Sequence, residues 1–120
     1  MKIGKDVYIG SDLKLSDPIN ASYITIGNRV SIADNLYLIN SSGPNNSRLK
    51  KYYPRIIGKI CIEDDVWIGV NVIILPGIHI NRMSIIGAGS VITKDIDEFM
   101  IVAGNPAKII NKIKSEDVPI

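Results

Sequence analysis

Written in blocks of six from Ile62, the chain places Ile62, Ile68, Ile74, Ile80, Ile86 and Ile92 at the first position without a slip. The fifth positions are Val66, Val72, Ile78, Ser84, Ser90 and Ile96, all small or β-branched. Two earlier pieces carry the same frame: Ile3, Ile9, Leu15 with Val7, Leu13, Ile19, and Ile26, Ile32, Leu38 with Val30, Leu36, Ser42. Side chains on a strand alternate between faces with period two. A unit of six is therefore one short flat side plus a corner, with the first residue pointing inward from the side and the fifth inward near the corner. Three sides close a triangular coil of about 18 residues, and coils stack at roughly 4.8 Å, the spacing of paired strands. A single coil cannot bury its inner face, so stacked neighbours supply the core. A β-sandwich spaces its strands by about 8–12 residues with variable turns, which gives no strict six. The pattern predicts an all-β parallel solenoid over residues 1–105.

Two segments leave the frame. Residues 16–25 are irregular around Asp17-Pro18, and residues 43–59 form a longer excursion that begins with turn formers. A projecting loop of that length in a compact fold is often functional. No acidic residue lies between Asp34 and Glu63, whereas Arg48, Lys50, Lys51, Arg55 and Lys59 do, with Tyr52 and Tyr53 among them. The excursion reads either as a lid over an anionic or sugar ligand, with Tyr52 and Tyr53 in contact, or as a solvated loop. After Asp97 the pattern changes again. Pro106 is placed to open a helix, and Ile109, Ile110 and Ile113 recur at helical spacing. Residues 106–120 are expected to form a short C-terminal helix and tail that covers the open last coil, whose strand edge would otherwise be exposed.

Composition narrows the chemistry. The 120 residues include 25 Ile against 6 Leu and one Phe, and Ile is stiff at Cβ and favours strands, which argues against an all-helical bundle. The lone Cys61 allows no internal disulfide and fits a reducing cytosol. One His excludes a three-His zinc centre, and no metal site is expected. No apolar run reaches the length of a membrane span. Met1-Lys2-Ile3-Gly4 opens no signal peptide, so a cytoplasmic location is expected. A formal charge of +2 by itself implies no nucleic-acid partner.

The stretches "DDVWIGVNVIILPGIHI", "IIGAGSVITKDI" and "IVAGNPAKII" resemble the hexapeptide-repeat acyltransferases. The likeness is strongest to the galactoside, maltose and nodulation-type O-acetyltransferases and their relatives in surface-polysaccharide synthesis. The resemblance implies a left-handed parallel β-helix, a homotrimer, and acetyl-CoA bound as co-substrate in the groove between subunits. It implies acetyl transfer to a hydroxyl of a sugar or sugar-linked acceptor, by direct attack on the thioester. By the same resemblance, backbone groups at Val70 and Ala88 meet the pantetheine arm. Thr93 and Lys94 lie near the adenosine end, and Lys108 near a phosphate, where a cation suits the negative charges of CoA. Asn111 stands where some members have a second basic residue. Asp17 lies near a position some relatives use for the acceptor sugar; it equally suits a turn before Pro18.

One position departs from the family. Its members use a His as general base on the acceptor hydroxyl, chemistry suited to imidazole near neutral pH. Aligned through "IGNRVSIADNLYLINSSGP", that His falls at Gly43, and glycine takes no proton. The only His, His79, ends its own hexad and should point outward at a corner, where the family commonly has Thr; it is the candidate base. The alternatives are proton transfer by another group of residues 43–59 or by the substrate itself, or a catalytically impaired trimeric β-helix that binds a ligand or acts as a scaffold. Trp67 reads as a contact with a neighbouring subunit, and Cys61 as a small wall residue, since nothing nearby would activate it.

Overall fold

The computed structural model describes residues 1–118. Five stacked triangular coils account for most of them. The first coil holds β1 (Lys2–Ile3), β2 (Tyr8–Ile9) and β3 (Lys14–Leu15), and the second holds β4 (Ile24–Ile26), β5 (Ser31–Ile32) and β6 (Tyr37–Leu38). A projecting hairpin of β7 (Ser41–Ser42) and β8 (Ile56–Ile57) follows. The third coil holds β9 (Ile60–Ile62), β10 (Trp67–Ile68) and β11 (Ile73–Ile74), and the fourth holds β12 (His79–Ile80), β13 (Ile85–Ile86) and β14 (Val91–Ile92). The fifth is capped by β15 (Met100–Gly104) and β16 (Ala107–Lys112).

Strands of successive coils pair in parallel and build three flanks: β1-β4-β9-β12, then β2-β5-β10-β13-β15, then β3-β6-β11-β14. Register follows the hexads, with Ile26 beside Ile62 and Ile62 beside Ile80, Ile32 beside Ile68 and Ile68 beside Ile86, and Leu38 beside Ile74 and Ile74 beside Ile92.

The core is the inside of the coil. From Ile26 to Ile92 no first-position residue is more than 3% exposed, and the fifth positions Val30, Leu36, Val66 and Val72 are equally enclosed. Ser84 and Ser90 also point inward, where their hydroxyls donate to the Asn81 carbonyl (2.6 Å) and the Gly87 carbonyl (2.6 Å), so neither buried oxygen is left unpaired. At the N-terminal end Ile3 is 42% exposed, because the first coil has a neighbour on one side only.

Corners are built from two devices. The fourth hexad residue takes a left-handed φ of 53–62° at Asp6, Asp12, Arg29, Asn35, Asp65, Asn71 and Met83, mostly Asp or Asn, the side chains that tolerate this region best. The third residue ties one coil to the next: Asn28 Oδ1 accepts from the Lys5 N–H (2.8 Å), Asp64 Oδ1 from Asn28 N–H (2.7 Å) and Asp34 Oδ1 from Ser11 N–H (2.8 Å).

Three expectations are corrected. The expected helix is a strand over Ala107–Lys112: β16 runs antiparallel to β15, pairing Ala103 with Lys108 and Met100 with Lys112. The only helical turn of the described tail is the 3-10 turn Ser115–Asp117, and residues 119–120 of the expected segment lie outside the described ones. Its Ile residues favour strand, and pairing satisfies the edge of β15 directly, which a helix laid across it would not. Lys108 and Lys112 then lie on the new outer edge, where charge discourages further pairing. Ile19, expected at an inward fifth position, is 94% exposed, because the chain leaves the coil at Asp17-Pro18 into a 3-10 turn, Pro18–Tyr23. Ser42 is likewise exposed, while Asn40 and Ser41 are buried in its place.

Candidate functional site

Both irregular segments leave the coil at the same corner, between the β3-β6-β11 flank and the β4-β9-β12 flank, in adjacent coils. Asn40 knots them together. It is fully buried; its Oδ1 accepts from Asp17 N–H (3.0 Å) and Ser16 Oγ (3.2 Å), and its Nδ2 donates to the carbonyls of Asp17 (2.9 Å) and Asn20 (3.1 Å). The single Ser16 hydroxyl proton is shared between Asn40 Oδ1 and the Ser41 carbonyl, 2.9 Å away. Asp17 caps the 3-10 turn, its carboxylate accepting from the Asn20 side-chain amide at 2.7 Å. That bond, with further hydrogen bonds from the Asn20 backbone and the Ser41 side chain, holds the Asp17 carboxyl below its ordinary range against an opposing effect of desolvation.

On the far side of Ser41, the Arg55 guanidinium donates to Ser41 Oγ (2.8 Å) and to Asn45 Oδ1. Arg55 occupies the place a residue-43 side chain would need: a Cβ on Gly43 would lie 3.1 Å from both Cα and Cβ of Arg55. Arg55 and Lys50 line a cavity of about 530 Å³ together with Gly43, Pro44, Asn45 and Asn46. Tyr52 lines an adjoining cavity with Ser47, Arg48, Lys50 and Lys51, and both Tyr52 and Tyr53 are well exposed. The sequence marked this segment as basic, but it offered no signal that Arg55 and Asn40 are its organising residues. Their roles rest on pairings 10 to 24 residues apart.

His79 stands elsewhere. It lies on β12, on the flat outer face rather than at a corner, in register with Cys61. Its N–H donates to Asp95 Oδ1 (2.8 Å) and its ring Nε2 pairs with the Glu63 carboxylate. Its imidazole is not among the groups lining the Gly43 cavity.

The positions matched to the nucleotide end of a CoA do converge. Thr93 and Lys94, at the last corner, and Lys108, on β16, line one cavity of about 270 Å³ over Ile96 and Val102 at the C-terminal end of the coil. Lys108 reaches it because β16 folds back onto β15. Val70 and Ala88 are stacked at another corner, where Gly89 N–H donates to the Val70 carbonyl (2.8 Å), and they do not line that cavity. Of Asp17, Tyr52, Tyr53 and His79, only Tyr52 lines one of the cavities formed by the described residues named above. Outward positions on two flanks include exposed apolar and aromatic side chains: Tyr8 and Trp67 on one, on either side of Ser31, and Tyr37 and Ile73 on the other, next to Lys14.

Comparison with known proteins agrees with this geometry. Residues 59–94 match the model of a hexapeptide repeat of succinyl-transferase. The galactoside O-acetyltransferase of Lactococcus lactis is 35% identical over 114 residues, covering 95% of this chain and 54% of that protein. A solved galactoside acetyltransferase in complex with coenzyme A superposes with a TM-score of 0.71 at 31% identity, over 97% of this chain and 66% of that one. A hexapeptide-repeat acetyltransferase from Vibrio cholerae gives 0.72 at 30% identity, over 93% and 68%. The chain spans about half the length of the curated relatives it matches. The three-flanked coil is the left-handed parallel β-helix of these neighbours. Unbroken hexads, in-register flanks and agreement over nearly the whole chain place this protein in the hexapeptide-repeat acetyltransferase family.

Proposed function

We propose that this chain is an acetyl-CoA-dependent O-acetyltransferase that works as a homotrimer on a hydroxyl of a sugar or sugar-linked acceptor. The observation that carries the reading is the cavity at the C-terminal end of the coil. It gathers Thr93, Lys94 and Lys108 from separate segments, and two lysines on one concavity suit the phosphates of a CoA nucleotide, while Asp95, which also lines it, is engaged by the His79 N–H. Val70 and Ala88 sit a corner away, where a long, narrow arm leaving the nucleotide could follow the coil. The apolar outward residues Trp67, Tyr37 and Ile73 are the groups that neighbouring protomers would cover.

The reaction forms a bond between the acceptor oxygen and the acetyl carbon and breaks the carbon–sulfur bond, releasing CoA; the hydroxyl proton must go to a base. Gly43 offers none. In this reading His79 is the base, working in the seam between protomers. A carboxylate only accepts hydrogen bonds at neutral pH, so Glu63 fixes the imidazole tautomer with its proton on Nε2. The free lone pair is then on Nδ1, the atom that would take the proton. Asp17, committed to Asn20 and held in its ionised form, orients a hydroxyl rather than deprotonating one.

Calorimetric titration with CoA and a thiol-release assay with acetyl-CoA and a panel of hexoses test the proposal. Lys94→Ala and Lys108→Ala should each weaken CoA binding several-fold, and His79→Ala should abolish release above background. CoA affinity unaltered in both lysine variants would refute the nucleotide site. Release unchanged in His79→Ala removes His79 from the mechanism. A second reading, a ligand-binding β-helix without turnover, is favoured by Arg55 filling the space beside Gly43; tight CoA binding with no release for any acceptor would establish it.

A further inference from the structure

The excursion 43–59 presents cations without counter-charges. Among the described residues, the ion pairs are Arg29 with Asp65, Arg82 with Glu98, and His79 with Glu63; none involves Arg48, Lys50, Lys51, Arg55 or Lys59. No acidic residue occurs between positions 34 and 63 to supply one locally. Arg55 is nonetheless held in place. Its guanidinium donates to two neutral oxygens, Ser41 Oγ and Asn45 Oδ1, which fix its direction; the Asp17 carboxylate meets it only through the Ser41 hydroxyl, and no carboxylate pairs with it directly among the described residues. Lys50 stands across the same cavity, and Gly43, by lacking a side chain, leaves room for Arg55 to pack over it.

An oriented guanidinium with no direct carboxylate partner, and a lysine lining the same cavity, suit a planar or tetrahedral oxyanion. Asp17 is joined to Arg55 through the Ser41 hydroxyl and is also bonded by Asn20. Linked in this way, the corner offers a carboxylate suited to a hydroxyl beside two cations suited to an anion. We infer that the acceptor is a polyhydroxylated molecule bearing an anionic group, a carboxylate or a phosphate, which Arg55 and Lys50 bind while Asp17 orients a hydroxyl. The inference rests on the transferase reading for the word acceptor, but not for the binding itself.

The test measures binding of galactose, galacturonate and galactose 6-phosphate to the whole chain by saturation-transfer NMR and calorimetry, and CoA release with the same three compounds. One or both anionic sugars should bind about ten- to hundredfold more tightly than galactose, the range of a charge-assisted bidentate contact. The preference should fall in Arg55→Gln, persist in part in Arg55→Lys, and stay intact in Lys5→Gln, which removes the same charge at a different corner. Galacturonate alone would identify a carboxylate acceptor, and the phosphate alone a phosphorylated one. Equal binding of all three, binding of none, or a preference unmoved by Arg55→Gln overturns the inference. Charge-dependent binding without CoA release would instead sink the transferase reading and leave this one standing.

Discussion

Restoring a histidine at position 43 tests how this corner is built. Gly43 has no left-handed φ, so a side chain is conformationally allowed there, but its Cβ would sit 3.1 Å from Cα and Cβ of Arg55 and 3.4 Å from Cγ. Ordinary carbon contacts are about 3.5–4.0 Å, so the facing strand must retreat by roughly half an ångström. Overpacking of that kind costs about 1–3 kcal/mol, and a misplacement of about 1 Å can cost 10²-fold in rate. A well-placed general base contributes roughly 10²–10⁴-fold. Gly43→His alone is therefore expected to raise CoA release by no more than about tenfold. Gly43→His combined with Arg55→Gly, which removes the Cβ and Cγ contacts and frees the cavity, should raise it by about 10² or more over Arg55→Gly alone, both measured with His79→Ala so that no other imidazole serves as base. The assay is thiol release with acetyl-CoA and a neutral hexose, chosen so that loss of the Arg55 charge does not enter. Full recovery in the single variant, with no further gain in the double, would refute the claim that Arg55 fills the base's place.

Two further outcomes follow from the corners. Gly69→Ala would put a Cβ 2.8 Å from the Ala88 backbone nitrogen and 3.0 Å from its Cα. Neither atom can rotate away, so the variant should lose about 2 kcal/mol, seen as a lower urea midpoint; an unchanged midpoint would mean that the coils spread freely. Asp17, whose folded pKa lies below its ordinary 3.8, contributes stability that is present above that value and is lost as pH falls through the lowered one. Thermal midpoints of wild type and Asp17→Asn should therefore differ by a constant amount near neutrality and converge in acid below 3.8. A gap that widens on acidification would contradict the hydrogen bonding described.

The accuracy of the sequence reading varied with the kind of information each residue carries. Ile62 to Ile92 could be placed inward because every coil repeats the same local demand, so each hexad testifies to the others. Ile19 and Ser42 were misplaced by extending the frame into segments where the backbone had already turned away. The tail was read as a helix from the spacing of Ile109, Ile110 and Ile113, although β-branched residues favour strand. The open edge of β15 tipped the balance, and that edge is a property of the assembled coil. The left-handed corners emerged only in the structure: Asp or Asn takes that conformation at most fourth positions, but Arg29 and Met83 do so as well.

From the linear chain alone came the hexad frame and the absence of local acid around the basic excursion; the missing base at position 43 came from the resemblance to the family. The first two are statements about which residue type stands at which spacing, and repetition makes spacing legible. Tertiary structure decided what lies beside what. It tied Asn40 to Asp17, laid Arg55 over Gly43, paired His79 with Glu63 on a flank away from the cavity, and folded Lys108 back toward Lys94. These pairings join residues that the repeat does not relate. They depend on where two excursions and a reversed strand meet the coil, which no periodicity along the chain encodes.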